Sequence, residues 1–288
     1  SLGCLLFYPA AATRMYPLFL LALFVVAGGI TILQVAANPY ISVLGSPEKA
    51  SSRLNLAQAF NSLGTTIAPI VAASFLLSDK ILNSDEQSAL TESALDAYRA
   101  AEASAVQGPF VALAVAFGVL ALLMGMSKLP RILGGSSRGG YGKVLQNKRL
   151  VYGAIGIFVY VGAEVAIGSY MVNYGLELGV DQIIRDSAVL SSMASLAASI
   201  GGKSLAGMDT KGLIGALLTF YWGGAMIGRF IGSAVMNRMA PQRLLGFFAL
   251  CAAAMTILSV SSTGVTALLA LLSVGLFNSI MFPTIFTL

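Results

Sequence analysis

Long apolar runs separated by short polar connections constrain the fold of this chain more than any other feature of its sequence. Six runs are long enough to cross a bilayer as helices, and they lie at about residues 17–44, 54–77, 109–129, 150–174, 213–236 and 244–260. A partial run precedes them at about 2–12, and a last run occupies 265–288. Because an open sheet edge cannot lie in hydrocarbon, the pattern predicts an all-α, polytopic membrane helix bundle.

The composition agrees with a membrane protein and excludes several classes of function. Of the 288 residues, 57% are hydrophobic and 10% are charged, against about 25% charged residues in a soluble domain. A cytosolic globular enzyme is therefore excluded. The chain contains no histidine, and its two cysteines, Cys4 and Cys251, lie far apart. We therefore expect neither a metal site nor a disulfide framework, and no cofactor.

The charges between the apolar runs predict an orientation in the membrane. When successive connections are assigned to alternate sides, one side carries ten basic residues and one acid, and the other carries six basic and ten acidic residues. The positive-inside rule places the first side in the cytoplasm. The net charge of +5 is thus explained by topology, and nucleic acid is not an expected partner.

A basic, glycine-rich connection at 130–149 marks the predicted domain boundary. It contains GGSSRGG at 134–140 and no acidic residue, a composition typical of a flexible linker. We therefore predict one helical unit over 1–129 and a second over 150–288, joined by this cytoplasmic linker. Neither end of the sequence resembles a natural terminus, so we interpret the chain as a piece of a longer membrane protein.

Two outer connections are long. The acidic connection at 78–108 has Ala, Leu and Tyr at helical spacing around 90–106, which predicts a short helix on the outer surface. The connection at 175–212 is rich in Ser, Ala and Gly. For this second connection, the sequence leaves open whether the chain enters the membrane interface.

The strongest local signal is a polar stripe in the second of the six runs. Asn55, Gln58, Asn61 and Thr65 follow one another at three- or four-residue spacing, with Ser62 beside Asn61, so they share one side of a helix. Polar groups at bilayer depth are costly and usually face a cavity or a partner. We interpret the stripe as part of a water-filled or ligand-filled interior, with interhelical hydrogen bonding as the alternative.

Amides and aromatic residues in the runs predict the chemistry of a ligand. Gln34 and Asn38 lie four residues apart in the first run, as do Tyr160 and Glu164 in the run after the linker. An amide both donates and accepts hydrogen bonds, which suits sugar hydroxyls, and aromatic rings stack on pyranoses. We therefore predict a neutral sugar as substrate. Its candidate binding residues are Gln34, Asn38, Gln58, Asn61, Tyr160, Trp222 and Asn278.

Two charged residues lie within the predicted spans. Glu164 is the candidate for proton coupling, with a structural buried acid as the alternative. Arg229 lies toward the inner end of its span, where we interpret it as a structural residue that braces a gate or extends to the interface.

Small residues and prolines suggest where helices approach or bend. Gly228 belongs to a repeat with Gly224 and Gly232, a spacing that allows close helix packing in lipid. Pro39 and Pro283 interrupt spans and permit a bend. Gly228, Pro39 and Pro283 are therefore gating or structural candidates, and a fixed kink and a moving hinge are both open.

Five segments together resemble the fucose permease and glucose/galactose transporter family of the major facilitator superfamily. Their sequences are QVAANPY at 34–40, RLNLAQAFNSLG at 53–64, YVGAE at 160–164, YWGGAMIGR at 221–229 and LFNSIMFP at 276–283. The resemblance covers nearly the whole chain.

This resemblance implies a fold and a mode of action. The chain would hold about spans 3–10 of twelve, with the end of span 3 to span 6 in residues 1–129 and spans 7 to 10 in residues 150–288. The family implies proton-coupled sugar uptake by alternating access. It also implies that Gln34, Gln58 and Asn61 line a central cavity.

One departure from the family pattern concerns proton coupling. The fucose permeases have a glutamate where this chain has Gln34, and glutamine cannot titrate. Another family acid belongs to the first span, which we interpret as lying outside this sequence. Coupling would then depend on Glu164 or on that acid, and the glutamine resembles the glucose/galactose branch more closely.

We interpret the protein as a bacterial inner-membrane carrier for a neutral hexose and not as an enzyme. Its expected partners are the sugar, the bilayer and, if transport is coupled, a proton; the sequence does not fix the oligomeric state, and a monomer is expected. The alternatives are a sugar facilitator without ion coupling and a noncatalytic scaffold or channel subunit. A membrane-embedded enzyme would need paired acids or metal ligands at depth, and only Glu164 is available.

Overall fold

The computed structural model describes residues 1–76, 87–128, 130, 142, 145–200, 204–205, 208 and 210–288. Within these residues the chain forms twelve α-helices and a short 3-10 turn at Pro47–Lys49, and no strand. The helices are α1 (Leu2–Thr13), α2 (Tyr16–Val43), α3 (Ala50–Leu76), α4 (Glu92–Ala105), α5 (Gln107–Met126), α6 (Lys148–Glu177), α7 (Val180–Asp186), α8 (Ala188–Ile200), α9 (Thr210–Val235), α10 (Pro241–Ser261), α11 (Gly264–Asn278) and α12 (Met281–Thr287). The predicted all-α class is confirmed.

Six helical stretches of the described chain are long and apolar enough to cross a membrane. They are Tyr16–Val43, Glu92–Met126, Lys148–Glu177, Gly212–Val235, Pro241–Ser261 and Gly264–Thr287. The number becomes seven if α7 and α8, which meet at a bend of 97°, are counted as one broken span. The prediction of a polytopic helix bundle is therefore confirmed.

Helix α3 coincides with a predicted span but is not among those six stretches of the described chain. Its 27 residues would extend about 40 Å at 1.5 Å per residue, which is enough to cross a bilayer. The described side chains of α3 end at Ile67 and include the polar stripe, so that part of the helix is less apolar than the rest of the predicted span. A helix with this composition needs protein or water, rather than lipid, beside its polar residues.

The two long connections that were predicted on the outer side contain helices. The predicted surface helix around 90–106 corresponds to α4, whose first turn is capped by the Thr91 hydroxyl as it accepts from the Ala94 amide at 3.4 Å. The connection at 175–212 contains α7 and α8. Gly179 joins α6 to α7 in the left-handed conformation, with φ 60°, which glycine adopts readily.

The described residues form two compact units. The first consists of Ser1–Pro39 with Val71–Leu133, and the second of Tyr40–Ile70 with Gly134–Leu288. The second unit thus includes part of α3, which precedes the predicted linker. The predicted boundary at 130–149 stays a prediction, since 131–141 and 143–144 lie outside the described residues.

An aromatic cluster holds the helices of the first unit together. Phe7 of α1 is fully buried and stacks on Phe110 of α5 with ring centroids 3.9 Å apart. It also meets Phe19 of α2 edge to face at 5.0 Å. Such buried aromatic pairs contribute packing beyond their area alone.

The core of the second unit lies among α6 to α11. Its fully buried side chains include Ile184 of α7, Leu190 of α8, Leu213 and Tyr221 of α9, and Val274 of α11. This tightly packed region positions the residues of α9 that carry candidate functional groups.

Candidate functional site

Arg53 links the beginning of α3 to the end of α2 through hydrogen bonds. Its guanidinium donates to the carbonyl oxygens of Ser42 at 2.7 Å, Ser46 at 2.8 Å and Ile41 at 3.3 Å. These contacts satisfy carbonyls at the end of α2, where intrahelical partners are missing. Arg53 therefore sets the start of the helix that carries the polar stripe.

The first part of the polar stripe is buried and joins helices. Asn55 is fully buried, and its amide donates to the Ser51 carbonyl at 2.9 Å and to the Thr284 hydroxyl of α12 at 3.2 Å. The hydroxyls of Ser51 and Thr287 lie 2.5 Å apart. For Asn55, interhelical hydrogen bonding is therefore the arrangement in the structure, as the alternative interpretation of the stripe expected.

The second part of the stripe is more open. Gln58 is half-buried, whereas Asn61 and Thr65 are exposed. The Asn61 amide donates to the Gln58 side-chain oxygen at 3.3 Å, which is possible because the two residues lie one helical turn apart. The two predicted ligand residues of α3, Gln58 and Asn61, are thus hydrogen-bonded to each other through their side-chain amides.

Arg229 of α9 contacts three other elements of the second unit. Its guanidinium donates to the Ser279 carbonyl at 2.9 Å and to the Ser62 hydroxyl of α3. It lies 3.7 Å from the Glu164 carboxylate of α6, and both charged side chains are only 14% exposed. We call Arg229, Glu164, Ser62 and Ser279 the Arg229 cluster. The pairing partly compensates the cost of holding two charges away from water.

The break between α11 and α12 supplies the carbonyl that Arg229 uses. Helix α11 ends at Asn278 and α12 begins at Met281. Pro283 lies in the first turn of α12, where the missing amide proton costs little. Gly228 allows α9 to approach this break, since a Cβ atom there would collide with the Leu276 carbonyl and the Ser279 hydroxyl.

Aromatic candidates lie near the Arg229 cluster in sequence. Tyr160 is buried one turn before Glu164, and its hydroxyl has no hydrogen-bond partner of ordinary geometry among the described residues. Asn278 donates to the buried Tyr221 hydroxyl at 3.4 Å. Tyr221 in turn meets the half-buried Trp222 edge to face, with ring centroids 5.1 Å apart.

The remaining predicted site residues belong to the first unit. Gln34 is exposed on α2, and Asn38, one turn later, is buried. Pro39 follows it, but α2 continues to Val43. Pro39 thus lies inside a spanning helix as expected, and its role as a fixed kink or a moving hinge stays a prediction.

The structure also identifies residues that were not predicted as site residues. Tyr221 binds Asn278, and Ser62 and Ser279 bind Arg229. Tyr221 belongs to the YWGG segment and is adjacent to Trp222, so its position was a usable signal. The Ser279 contact is made by a backbone carbonyl, which no side-chain pattern reveals.

The described residues form no metal site, and a wide depression among them lies away from the predicted sugar-binding residues. In this part of the chain, no group of three or more His, Cys, Asp or Glu side chains is placed to hold a metal ion. A wide apolar depression of about 750 Å³ runs along α6 from Ala154 to Tyr170, and none of the predicted sugar-binding residues lines it.

The chain is similar in sequence to several sugar transporters. No family model matches it. It is 45% identical over 291 residues to the glucose/galactose transporter of Brucella abortus biovar 1 (strain 9-941), and this match covers 100% of the chain and 61% of the relative. It is 42% identical over 287 residues to a putative glucose/galactose transporter of Helicobacter pylori (strain J99 / ATCC 700824), and this match covers 99% of the chain and 61% of the relative. The L-fucose-proton symporter of Escherichia coli (strain K12) is 32% identical over 297 residues, and this match covers 100% of the chain and 62% of the relative.

A solved structure has the same fold. The crystal structure of FucP, a major facilitator superfamily transporter in the outward conformation, matches with a TM-score of 0.81 and 31% identity, covering 99% of this chain and 64% of that one. The chain thus spans less than two thirds of the length of these relatives. Together with the six apolar spans, this similarity identifies a multi-pass membrane protein of major-facilitator type. Along nearly its whole length the chain is similar to glucose/galactose transporters and to L-fucose-proton symporters, and it has the fold of a major facilitator superfamily transporter.

Proposed function

We propose that the protein is a secondary carrier that moves a neutral, glucose- or galactose-like hexose across the bacterial inner membrane. It would do so by alternating access, in which the binding residues become accessible from one side of the membrane and then from the other. A proton would drive uptake. In this proposal the protein acts on no covalent bond, requires no cofactor and works as a monomer in the bilayer.

The observation that carries the proposal is the similarity along the whole chain to proteins named glucose/galactose transporters, at 45% and 42% identity. The similarity to an L-fucose-proton symporter supports sugar as the substrate class and a proton as the driving ion, at 32% identity. Because the higher identity is to the glucose/galactose transporters, we propose glucose or galactose, rather than the 6-deoxy sugar fucose, as the substrate.

The chemistry of the predicted site residues supports a neutral sugar. Gln58 and Asn61 present amide groups within the polar stripe of α3, and the exposed Asn61 amide can reach a ligand. Asn278 and Trp222 supply an amide and an aromatic ring from α11 and α9. We propose that these four residues and Tyr160 contact the sugar. Gln34 and Asn38 of α2 stay predicted contacts of the same kind.

The proposal assigns proton coupling to Glu164. Gln34 cannot titrate, whereas Glu164 lies near the middle of α6 with its side chain only 14% exposed. An ionisable group at membrane depth is costly unless it has a function or a partner. Its ion pair with Arg229 supplies the partner, and protonation would cancel the charge on Glu164 and leave that of Arg229.

The second candidate function is sugar facilitation without ion coupling. The observation in its favour is the same ion pair, because a carboxylate 3.7 Å from the Arg229 guanidinium has a structural partner. A carboxylate that stayed charged throughout the cycle would not carry a proton. In that case Glu164 would be structural, and the sugar would move down its own gradient.

Uptake in proteoliposomes that contain the complete protein distinguishes the two candidates. Radiolabelled glucose and galactose are offered with an inwardly directed proton gradient and again after an ionophore has collapsed it. The symporter proposal predicts accumulation above the external concentration only with the gradient. Equal, non-concentrative uptake under both conditions would instead support the facilitator.

A further inference from the structure

We infer that Arg229 is a positioning residue that transmits the charge of Glu164 to α3, the helix that carries Gln58 and Asn61. This inference rests on the proposed function, because it concerns how a proton on Glu164 changes sugar binding. It goes beyond the proposed role of Glu164 by naming the physical connection between the acid and the sugar-binding helix.

Arg229 joins three groups through three different nitrogens. Its guanidinium reaches a carbonyl at the α11–α12 break through Nε, a hydroxyl of α3 through Nη1 and the carboxylate of Glu164 through Nη2. Each contact uses a different nitrogen. A guanidinium has five N–H donors in one rigid plane, so a movement of any partner changes the position of the group relative to the other two.

The Arg229–Glu164 pair is largely shielded from solvent. Arg229 and Glu164 are each only 14% exposed, whereas the side chains of Arg14 and Asp96, and of Arg185 and Asp181, are 36 to 69% exposed in their pairs. Water therefore screens the Arg229–Glu164 pair less than those surface pairs. A change in the charge of Glu164 acts directly on Arg229.

Three ionisable groups surround Glu164 among the described residues. Tyr160 faces it from α6, and Tyr221 and Arg229 face it from α9. Of these groups Arg229 alone is cationic at neutral pH, so it provides the favourable charge interaction with the Glu164 carboxylate. When Glu164 takes up a proton, Arg229 loses that interaction while its contacts with Ser279 and Ser62 remain.

Ser62 connects Arg229 to the predicted sugar-binding turn of α3. Ser62 is directly adjacent to Asn61, and its hydroxyl also donates to the Gln58 carbonyl at 2.8 Å. A shift of the guanidinium therefore acts on the turn of α3 that contains both predicted ligand amides. Protonation of Glu164 would thus alter sugar affinity through Arg229 and Ser62, without direct contact between the acid and the sugar.

The test measures how the half-saturating hexose concentration for counterflow changes between mildly acidic and mildly alkaline pH. Counterflow of the complete protein in proteoliposomes requires no proton gradient. We expect the wild type to show a pH-dependent value, and Glu164→Gln and Arg229→Gln to show a flat one. Ser62→Ala keeps the ion pair but removes the link to α3, so it should flatten the profile as well.

Two further variants separate this role from a merely structural one. The Glu164→Gln/Arg229→Gln double variant leaves no unpaired charge, so its counterflow should lie within about twofold of that of Glu164→Gln alone, because residues with a shared function are not additive. Arg185→Gln is the matched control, since Arg185 also binds a carboxylate and a carbonyl but lies half-exposed on α7. It should retain the wild-type pH profile.

The outcomes distinguish this inference from the proposed function. A wild type without hexose counterflow would overturn the carrier proposal itself. A wild type with counterflow whose half-saturation does not change with pH would overturn the inference and leave the carrier proposal intact. The inference is also overturned, and the carrier proposal left intact, if either Ser62→Ala or Arg229→Gln retains counterflow with the wild-type pH dependence. Should Arg229→Gln fail to fold, Ser62→Ala and the double variant decide.

Discussion

Ser52 of α3 and Ser233 of α9 bind each other reciprocally. The Ser52 hydroxyl donates to the Ser233 carbonyl at 2.8 Å, and the Ser233 hydroxyl donates to the Ser52 carbonyl at 2.8 Å. The two hydroxyl oxygens are 3.2 Å apart, and both residues are buried. This contact joins the beginning of α3 to the end of α9, near the predicted cytoplasmic side.

A disulfide in place of this serine pair should block transport. We expect Ser52→Cys/Ser233→Cys, made after Cys4 and Cys251 have been replaced by serine, to crosslink on mild oxidation, since the two hydroxyls already lie in contact. If α3 and α9 must separate during alternating access, hexose counterflow should fall to background and recover with a reductant. Each single cysteine variant is the control. A crosslinked protein that still transports would show that this contact need not open.

Replacing the predicted ligand amides should weaken hexose binding without unfolding the protein. Asn61→Ala and Gln34→Ala each remove hydrogen-bonding groups from exposed positions, so we expect affinity to fall about three- to tenfold per variant. Binding to detergent-purified protein, measured by calorimetry, checks this. Leu63→Ala on α3 is the control. Unchanged affinity in both amide variants would remove Gln34 and Asn61 from the site.

Neutralising Glu164 should separate coupling from translocation. We expect Glu164→Gln to abolish uptake driven by a proton gradient but to retain counterflow, because the amide keeps the shape of the side chain and cannot release a proton. Glu102→Gln on α4 is the matched control, since Glu102 is exposed and accepts from the Tyr98 hydroxyl. Persistent pH-driven uptake by the Glu164 variant would assign coupling to another group.

A methyl group at Gly228 should destabilise the packing of α9 against the α11–α12 break. Its Cβ would collide with a backbone carbonyl, whereas a Cβ at Gly223, five residues earlier on the same helix, meets nothing within 4 Å. We expect Gly228→Ala to cost about 1–3 kcal/mol and Gly223→Ala to be neutral or slightly stabilising. Thermal unfolding in detergent measures both. Equal midpoints would contradict the close packing at Gly228.

The fold could be predicted from the sequence because the length of the apolar runs and the charge difference between their connections are strong, local signals. The apolar run at 213–236 predicted α9, and the spacing around 90–106 predicted α4. The break at the end of α11 was suggested by Pro283. Pro39 lies inside α2 as the apolar run predicted. Whether it forms a fixed kink or a moving hinge could not be predicted, because neighbouring contacts decide how a membrane helix accommodates a proline.

The candidate site could be predicted from the sequence only in part. Asn55 and Asn61 occur in one polar stripe, but Asn55 joins helices while Asn61 is exposed. That division depends on which helices lie beside α3, and spacing along one helix does not contain this information. The pairing of Arg229 with Glu164 joins residues from two helices, so it too emerges only from the tertiary packing.

Hexose counterflow tests the central claim most directly. Proteoliposomes containing the complete protein are loaded with unlabelled glucose or galactose and diluted into a trace of the radiolabelled sugar. A carrier with alternately accessible sites predicts a transient accumulation of label that saturates with sugar concentration and disappears when the internal sugar is omitted. Label that enters in proportion to its concentration and shows no stimulation by internal sugar would contradict the carrier and favour a channel.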